Sequence, residues 1–146
     1  MKYTIADIAR IIDAETKATS AITIDNILLD SRKVYEPSVT LFFALKGPRR
    51  DGHQFIPELY KRGVRSFVIC EPIDQTDCPD AIFLDVYDSL VALQMLMAHH
   101  RRQFDIPVIG ITGSNGKTII KEWLFQLLNE DFNIVRSPKS YNSQIG

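Results

Sequence analysis

Val108-Ile109-Gly110-Ile111-Thr112-Gly113-Ser114-Asn115-Gly116-Lys117-Thr118 is the stretch whose reading decides the fold. Val108 to Thr112 is apolar enough for a strand, and a helix begins after the loop, with Ile120, Trp123, Leu124, Leu127 and Leu128 spaced as its buried stripe. Strand, glycine loop, Lys-Thr and helix form the context that a phosphate-binding loop needs. Gly113 and Gly116 admit backbone conformations that turn successive N–H groups into one concavity, and the helix behind adds unpaired N–H groups and its positive dipole end. Lys117 is placed to reach β- and γ-phosphates, and the Thr118 hydroxyl to ligate Mg²⁺. The strict pattern wants glycine where Ile111 stands, so this is a variant with Gly113 inside the loop. The alternative is an ordinary turn ahead of an amphipathic helix whose Lys117 is solvated; the flanking strand and helix favour nucleotide binding. Trp123 reads as core rather than as an adenine platform.

Upstream, strand and helix signals alternate, which makes the class α/β. Thr4 is a candidate N-cap with Asp7 three residues on, and Ile5, Ile8, Ala9 and Ile12 form one helical face. Ile22, Ile24, Ile27 and Leu29 suggest extended structure, and Thr40 to Leu45 is a continuous apolar run suited to a strand covered on both faces. Turn formers from Lys46 to Gly52 interrupt it. A helix carrying Phe55, Leu59 and Tyr60 can end at Gly63. Ser66 to Cys70 and Ala81 to Val86 read as buried strands around a polar loop, Glu71 to Asp80. Asp88 or Ser89 caps a helix running to about Phe104, with Leu90, Leu93, Leu96 and Met97 inward and His99-His100-Arg101-Arg102 at its negative end. The best boundary is Asp105-Ile106-Pro107, giving domains 1–105 and 106–146. The second is a single expected βαβ unit without the rest of a sheet, so the chain is expected to be a piece of a longer protein.

A net charge of -1 supplies no global attraction to nucleic acid or anionic membrane, so phosphate binding has to be local. Cys70, in an apolar run, is expected to be a buried thiol and Cys78 a loop thiol, with no metal spacing around either. His53, His99 and His100 do not suggest a metal cluster, and no Ser-His-Asp or Cys-His set is evident. With no apolar signal core and no membrane-length apolar run, the expected location is the cytoplasm.

The loop Thr112 to Thr118, with Lys121-Glu122-Trp123 behind it, resembles that of the Mur ligases, which join amino acids or peptides to UDP-linked muramic acid precursors. Asp30-Ser31-Arg32-Lys33-Val34, Leu41 to Gly47 and Asp51-Gly52-His53 are similar to the segments with which members of that family hold the uridine nucleotide. The resemblance implies a small mixed-sheet N-terminal domain followed by the first βαβ unit of a phosphate-loop ATPase domain, truncated. It implies ATP and Mg²⁺, with Gly113, Ser114, Asn115, Gly116, Lys117, Thr118 and Ile119 around the nucleotide, Lys117 and Thr118 as the catalytic pair, and Thr118 on the metal. Ser31, Arg32, Lys46, Gly47, Asp51 and His53 become candidate contacts to the UDP part of the substrate, and Asn142 a further substrate contact. Each has a plainer alternative: Asp51-Gly52 can be only a turn, Asp51 or His53 a helix cap, and Ser31 a local backbone partner. Ile119 replaces the family's usual second threonine, and Ser140 stands where relatives often have asparagine.

The implied reaction adds D-alanyl-D-alanine to UDP-N-acetylmuramoyl-tripeptide through an acyl phosphate, with no protein nucleophile. A monomer is expected, with neither nucleic acid nor membrane as partner. Addition of the third residue by a related ligase is the nearest alternative; for this chain alone, a UDP-sugar-binding module without turnover is another.

Overall fold

The computed structural model describes residues 2–16, 22–48 and 50–137. They fall into two compact units, Met1–Phe104 and Asp105–Gly146. In the first, β3 (Asn26–Leu28), β4 (Thr40–Phe43), β5 (Ser66–Ile69) and β6 (Ile82–Asp85) form a sheet in the order β3-β4-β5-β6. All three pairings are parallel, with Leu28 opposite Phe42, Phe43 opposite Val68, and Val68 opposite Leu84. The expected mixed sheet is therefore corrected. The antiparallel ladder, β1 (Tyr3–Thr4) with β2 (Thr23–Ile24), is a separate two-stranded sheet. Each strand of the main sheet is reached by a connection that crosses one face, so successive strands run the same way.

Alternation along the strands divides the core in two. Leu41, Phe43, Val68 and Leu84 pack with Ile5, Ile8 and Ile12 of the first helical segment and with Ala92, Leu93 and Leu96. Phe42, Ala44, Phe67 and Ile69 point the other way, onto Leu28, Ile56, Leu59, Val64 and Cys78. Both faces are covered, which is why these strands read as unbroken apolar runs.

The helices follow their caps. In α1 (Ile5–Ile11), Thr4 accepts the Asp7 N–H, as its spacing predicted. The helix α2 (Ile56–Lys61) buries Ile56 and Leu59 and is followed by Gly63 at φ +96°. Asp88, not Ser89, caps α3 (Ser89–Arg101), accepting from the Leu90 and Val91 N–H groups. The buried face of α3 is Ser89, Ala92, Leu93 and Leu96; Met97, expected inward, is half exposed because it lies one residue, or about 100°, beyond Leu96.

No helix connects β5 to β6. The loop between them instead drops Cys78 and Ile73 onto the second face, beside Leu59 and Phe67. This reverses the expectation for the two thiols: Cys78 is buried and Cys70, just past the end of β5, is half-buried. Burial pushes the Cys78 thiol up from its ordinary value.

In the second unit α4 (Lys117–Leu128) forms as expected. Residues 108–112, however, take no strand assignment, because no second strand pairs with them among the described residues. The stripe expected to be buried is open: Ile120, Trp123 and Leu127 are all exposed, and no residue of α4 is buried.

Candidate functional site

Parallel sheets gather ligands at the carboxyl ends of their strands, where the loops converge. The candidate UDP contacts all follow such ends: Ser31 and Arg32 after β3, and Lys46, Gly47, Asp51 and His53 after β4. The turn after β3 is closed by the Lys33 N–H on the Asp30 carbonyl at 2.9 Å. Within it the Arg32 guanidinium grips the Asp30 carboxylate with two bonds, 2.8 and 2.7 Å long. That pairing holds the Asp30 carboxyl far below the usual carboxylate range and raises Arg32. The Ser31 carbonyl accepts from Arg62 at 2.6 Å, tying the turn to the end of α2.

The loop after β4 is bonded across its base. Gly52 N–H donates to the Leu45 carbonyl and Gly47 N–H to that of Arg50, both at 2.8 Å, and Lys46 bridges Asp51 in antiparallel fashion. A Cβ on Gly52 would lie 2.7 Å from Leu45 N, so glycine is needed there for close backbone approach. The Lys46 ammonium pairs with Glu71 from the loop after β5, and that hydrogen bond raises its pKa. Asp51 caps the short 3₁₀ turn Gly52–Phe55 by accepting the His53 N–H at 2.9 Å, and this bond, with one from the His53 ring, lowers its pKa. His53 is buried, and both of its ring nitrogens are engaged inside the protein.

In the candidate phosphate loop, Gly113 has φ +143° and Gly116 +80°, both in the range that favours glycine. Gly116 occupies the N-cap of α4, and no side chain caps the helix there. The Lys117 ammonium folds back to donate to the Gly113 carbonyl. That contact encloses the bend that Ser114, Asn115 and Gly116 describe. Thr118 and Ile119 follow in the first turn of α4, Ile119 with its side chain exposed. Among the described residues no group of three His, Cys, Asp or Glu side chains is placed to hold a metal. Nor is any helix among them long and apolar enough to cross a membrane.

A sequence model described as the Mur ligase family, catalytic domain, matches residues 23–108, more than half of the chain. The chain belongs to the Mur ligase family. Similar Mur ligases include the UDP-N-acetylmuramoyl-tripeptide–D-alanyl-D-alanine ligase of Synechocystis, 40% identical across 90% of this chain and 28% of its own length. Among solved structures, MurF from Acinetobacter baumannii superposes with a TM-score of 0.80 at 31% identity, covering 90% of this chain and 28% of that one. MurF ligase from Thermotoga maritima, solved in complex with ADP, gives 0.71 at 31% identity over 83% of this chain and 27% of its own. The chain thus spans 28% of the length of the Synechocystis Mur ligase it matches.

Two charged partners within the candidate site are not among the candidate contacts that the sequence suggests. Asp30 stands two residues before Arg32, and that spacing was a usable signal; Glu71 lies 25 residues from Lys46 and gave none. Ser89, buried at the start of α3, donates to the Ala44 carbonyl at 2.9 Å and fixes the end of β4. Asn142 lies outside the described residues.

Proposed function

We propose that this chain carries the UDP-precursor-binding part and the phosphate loop of a ligase that adds D-alanyl-D-alanine to UDP-N-acetylmuramoyl-tripeptide at the expense of ATP, in the cytoplasm and as a monomer. The observation that carries the reading is the likeness to a D-alanyl-D-alanine-adding ligase over 90% of the chain. In it the N-terminal domain is 1–105, and 106–146 opens the ATPase domain.

The residues present suit a nucleotide with Mg²⁺. The N-terminus of α4 has no side-chain cap, and Gly113 and Gly116 free the bend around it. Gly113 to Ile119 would hold the phosphates through N–H groups, Lys117 would exchange its bond to Gly113 for phosphate oxygens, and Thr118 would ligate the metal. Bound there, ATP supplies a phosphoryl group that activates a carboxylate for attack by an amine. On the UDP side, the Arg32 and Lys46 cations would pair with diphosphate, the Lys46-Gly47 turn would offer backbone groups to the base, and Ser31, Asp51 and His53 would add polar contacts to the UDP part.

A second reading for this chain alone is a UDP-sugar-binding module without turnover. It is favoured by the contrast between the first unit, with its two-faced core, and α4, which buries nothing. Titration of UDP-N-acetylmuramoyl-tripeptide and of Mg–ATP into labelled chain, followed by amide shifts, separates the two. The ligase reading expects the first to move residues 31, 32, 46 and 47 and the second to move 113 to 119. A response to the UDP compound alone supports the module, and silence toward both ligands defeats either reading.

A further inference from the structure

Among the described residues, His53 is the one histidine with both ring nitrogens bonded to neighbours at the carboxyl ends of the strands. Its side chain is 7% exposed. The Cys70 N–H donates to Nε2 at 3.0 Å, and a backbone N–H can only donate, so Nε2 carries no proton. Nδ1 lies 2.6 Å from Asp51 Oδ1, and the carboxylate, its pKa lowered, can only accept. The ring is therefore the neutral Nδ1–H tautomer.

The two ends of that ring belong to different loops. Asp51 bridges Lys46 at the base of the loop after β4, and Cys70 opens the loop after β5, immediately before Glu71. Gly52, next to His53, is pressed on the backbone of Ala44 and Leu45, and Ser89 holds the Ala44 carbonyl from the start of α3. The strand ends, the helix start and the Lys46-Gly47 turn are thus bonded through a short chain of groups, in which the buried His53 ring joins the two loops alongside the exposed Lys46–Glu71 pair.

We propose that His53 is a positioning residue for UDP-precursor recognition: its ring stays out of the ligand and sets the Lys46-Gly47 turn against the loop that carries Glu71. This rests on the reading of that turn as a nucleotide contact, and it replaces direct contact by His53 with an indirect role. It also extends the recognition unit to Cys70, through its backbone N–H alone.

The test is made on ¹⁵N-labelled chain with UDP-N-acetylmuramoyl-tripeptide as probe. Ring ¹⁵N shifts should report Nδ1 protonated and Nε2 bare, and should stay in place at saturation while the Lys46 and Gly47 amides move. His53→Ala should weaken the UDP compound by about tenfold or more, the cost of ordering the released Lys46-Gly47 turn on binding, with Mg–ATP binding unchanged. His53→Gln, whose amide oxygen can accept the Cys70 N–H, should recover most of the loss, which guards against a variant that fails to fold. Ring nitrogens that shift on ligand binding, the opposite tautomer, or full affinity in His53→Ala would each overturn the proposal and leave the nucleotide site standing. A wild-type chain that leaves the Lys46 and Gly47 amides unmoved would overturn the nucleotide reading itself, and this proposal with it.

Discussion

Replacing Gly52 with alanine should destabilise the first unit out of proportion to the single methyl group added. The new Cβ would lie 2.7 Å from the Leu45 nitrogen and 2.9 Å from both the carbonyl carbon and the Cα of Ala44. All three are backbone atoms, so no side chain can rotate out of the way. Ala44 cannot retreat easily either: its N–H is bonded to the Val68 carbonyl at 2.9 Å, its own carbonyl accepts from Ser89 at 2.9 Å, and it is fully buried. Overpacking of this kind costs about 1–3 kcal/mol, and a contact with fixed backbone belongs in the upper half of that range. For a unit of this size, each kcal/mol lowers the melting temperature by about 4–8 °C, so a fall of roughly 10–20 °C is expected. Calorimetric melting of Gly52→Ala beside Gly110→Ala measures it, because a Cβ at Gly110 meets nothing within 4 Å. If Gly52→Ala melts within about 2 °C of the parent chain, the loop is not pressed on the strand end as described, and the reasoning fails.

Asp88→Ala removes the acceptor for two N–H groups of α3 and should cost about 0.5–2 kcal/mol in urea unfolding. The lowered pKa of Asp51 makes its stabilisation complete above the ordinary aspartate range and lost as the pH falls through the lower folded value, so Asp51→Asn should flatten the acid limb of stability below about pH 4; superimposable limbs would refute this. Under a thiol reagent, half-buried Cys70 should react well before buried Cys78, and equal rates would contradict the packing of the loop after β5. Ile119→Thr should change nucleotide affinity by no more than about 0.5–1.5 kcal/mol in calorimetry, one side-chain hydrogen bond; a far larger gain would mean the loop is crippled as it stands.

How much of this was legible in the sequence depended on how local the cause was. The Thr4 cap, the end of α2 before Gly63 and the buried run of β4 are set by neighbours within a few residues, and periodicity reveals them. Met97 was misassigned because Leu96 beside it fits the same apolar stripe, and only the packing of α3 on α1 decides between them. The thiols are exchanged for a similar reason: Cys70 ends an apolar run, but that run ends where the sheet meets solvent, while Cys78 sits in a polar loop that folds back beside α2 onto the second face of the sheet. At the site, the motifs mark the loops and include Asp30, which holds Arg32, but give no sign of Glu71, which holds Lys46. Glu71 meets Lys46 only because β4 and β5 are neighbours in the sheet.

The strand and stripe expected in the second unit fail for one common reason. A strand is defined by its partner, and residues 108–112 have none among the described residues. A helix of twelve residues is marginal in water without tertiary packing, and the apolar residues of α4 that would supply it, Ile120, Trp123 and Leu127, are exposed. The proposed phosphate loop would depend on that helix for its first N–H groups and its dipole, so any fraying of α4 would remove part of the proposed anion site before a nucleotide arrives. Nucleotide affinity in this chain should therefore rise and fall with the helicity of α4, whereas UDP-precursor affinity, built on a sheet covered on both faces, should not. Trifluoroethanol at a concentration that raises helicity but spares the first unit makes the comparison, and a parallel change in both affinities would show that the two sites do not differ in this way.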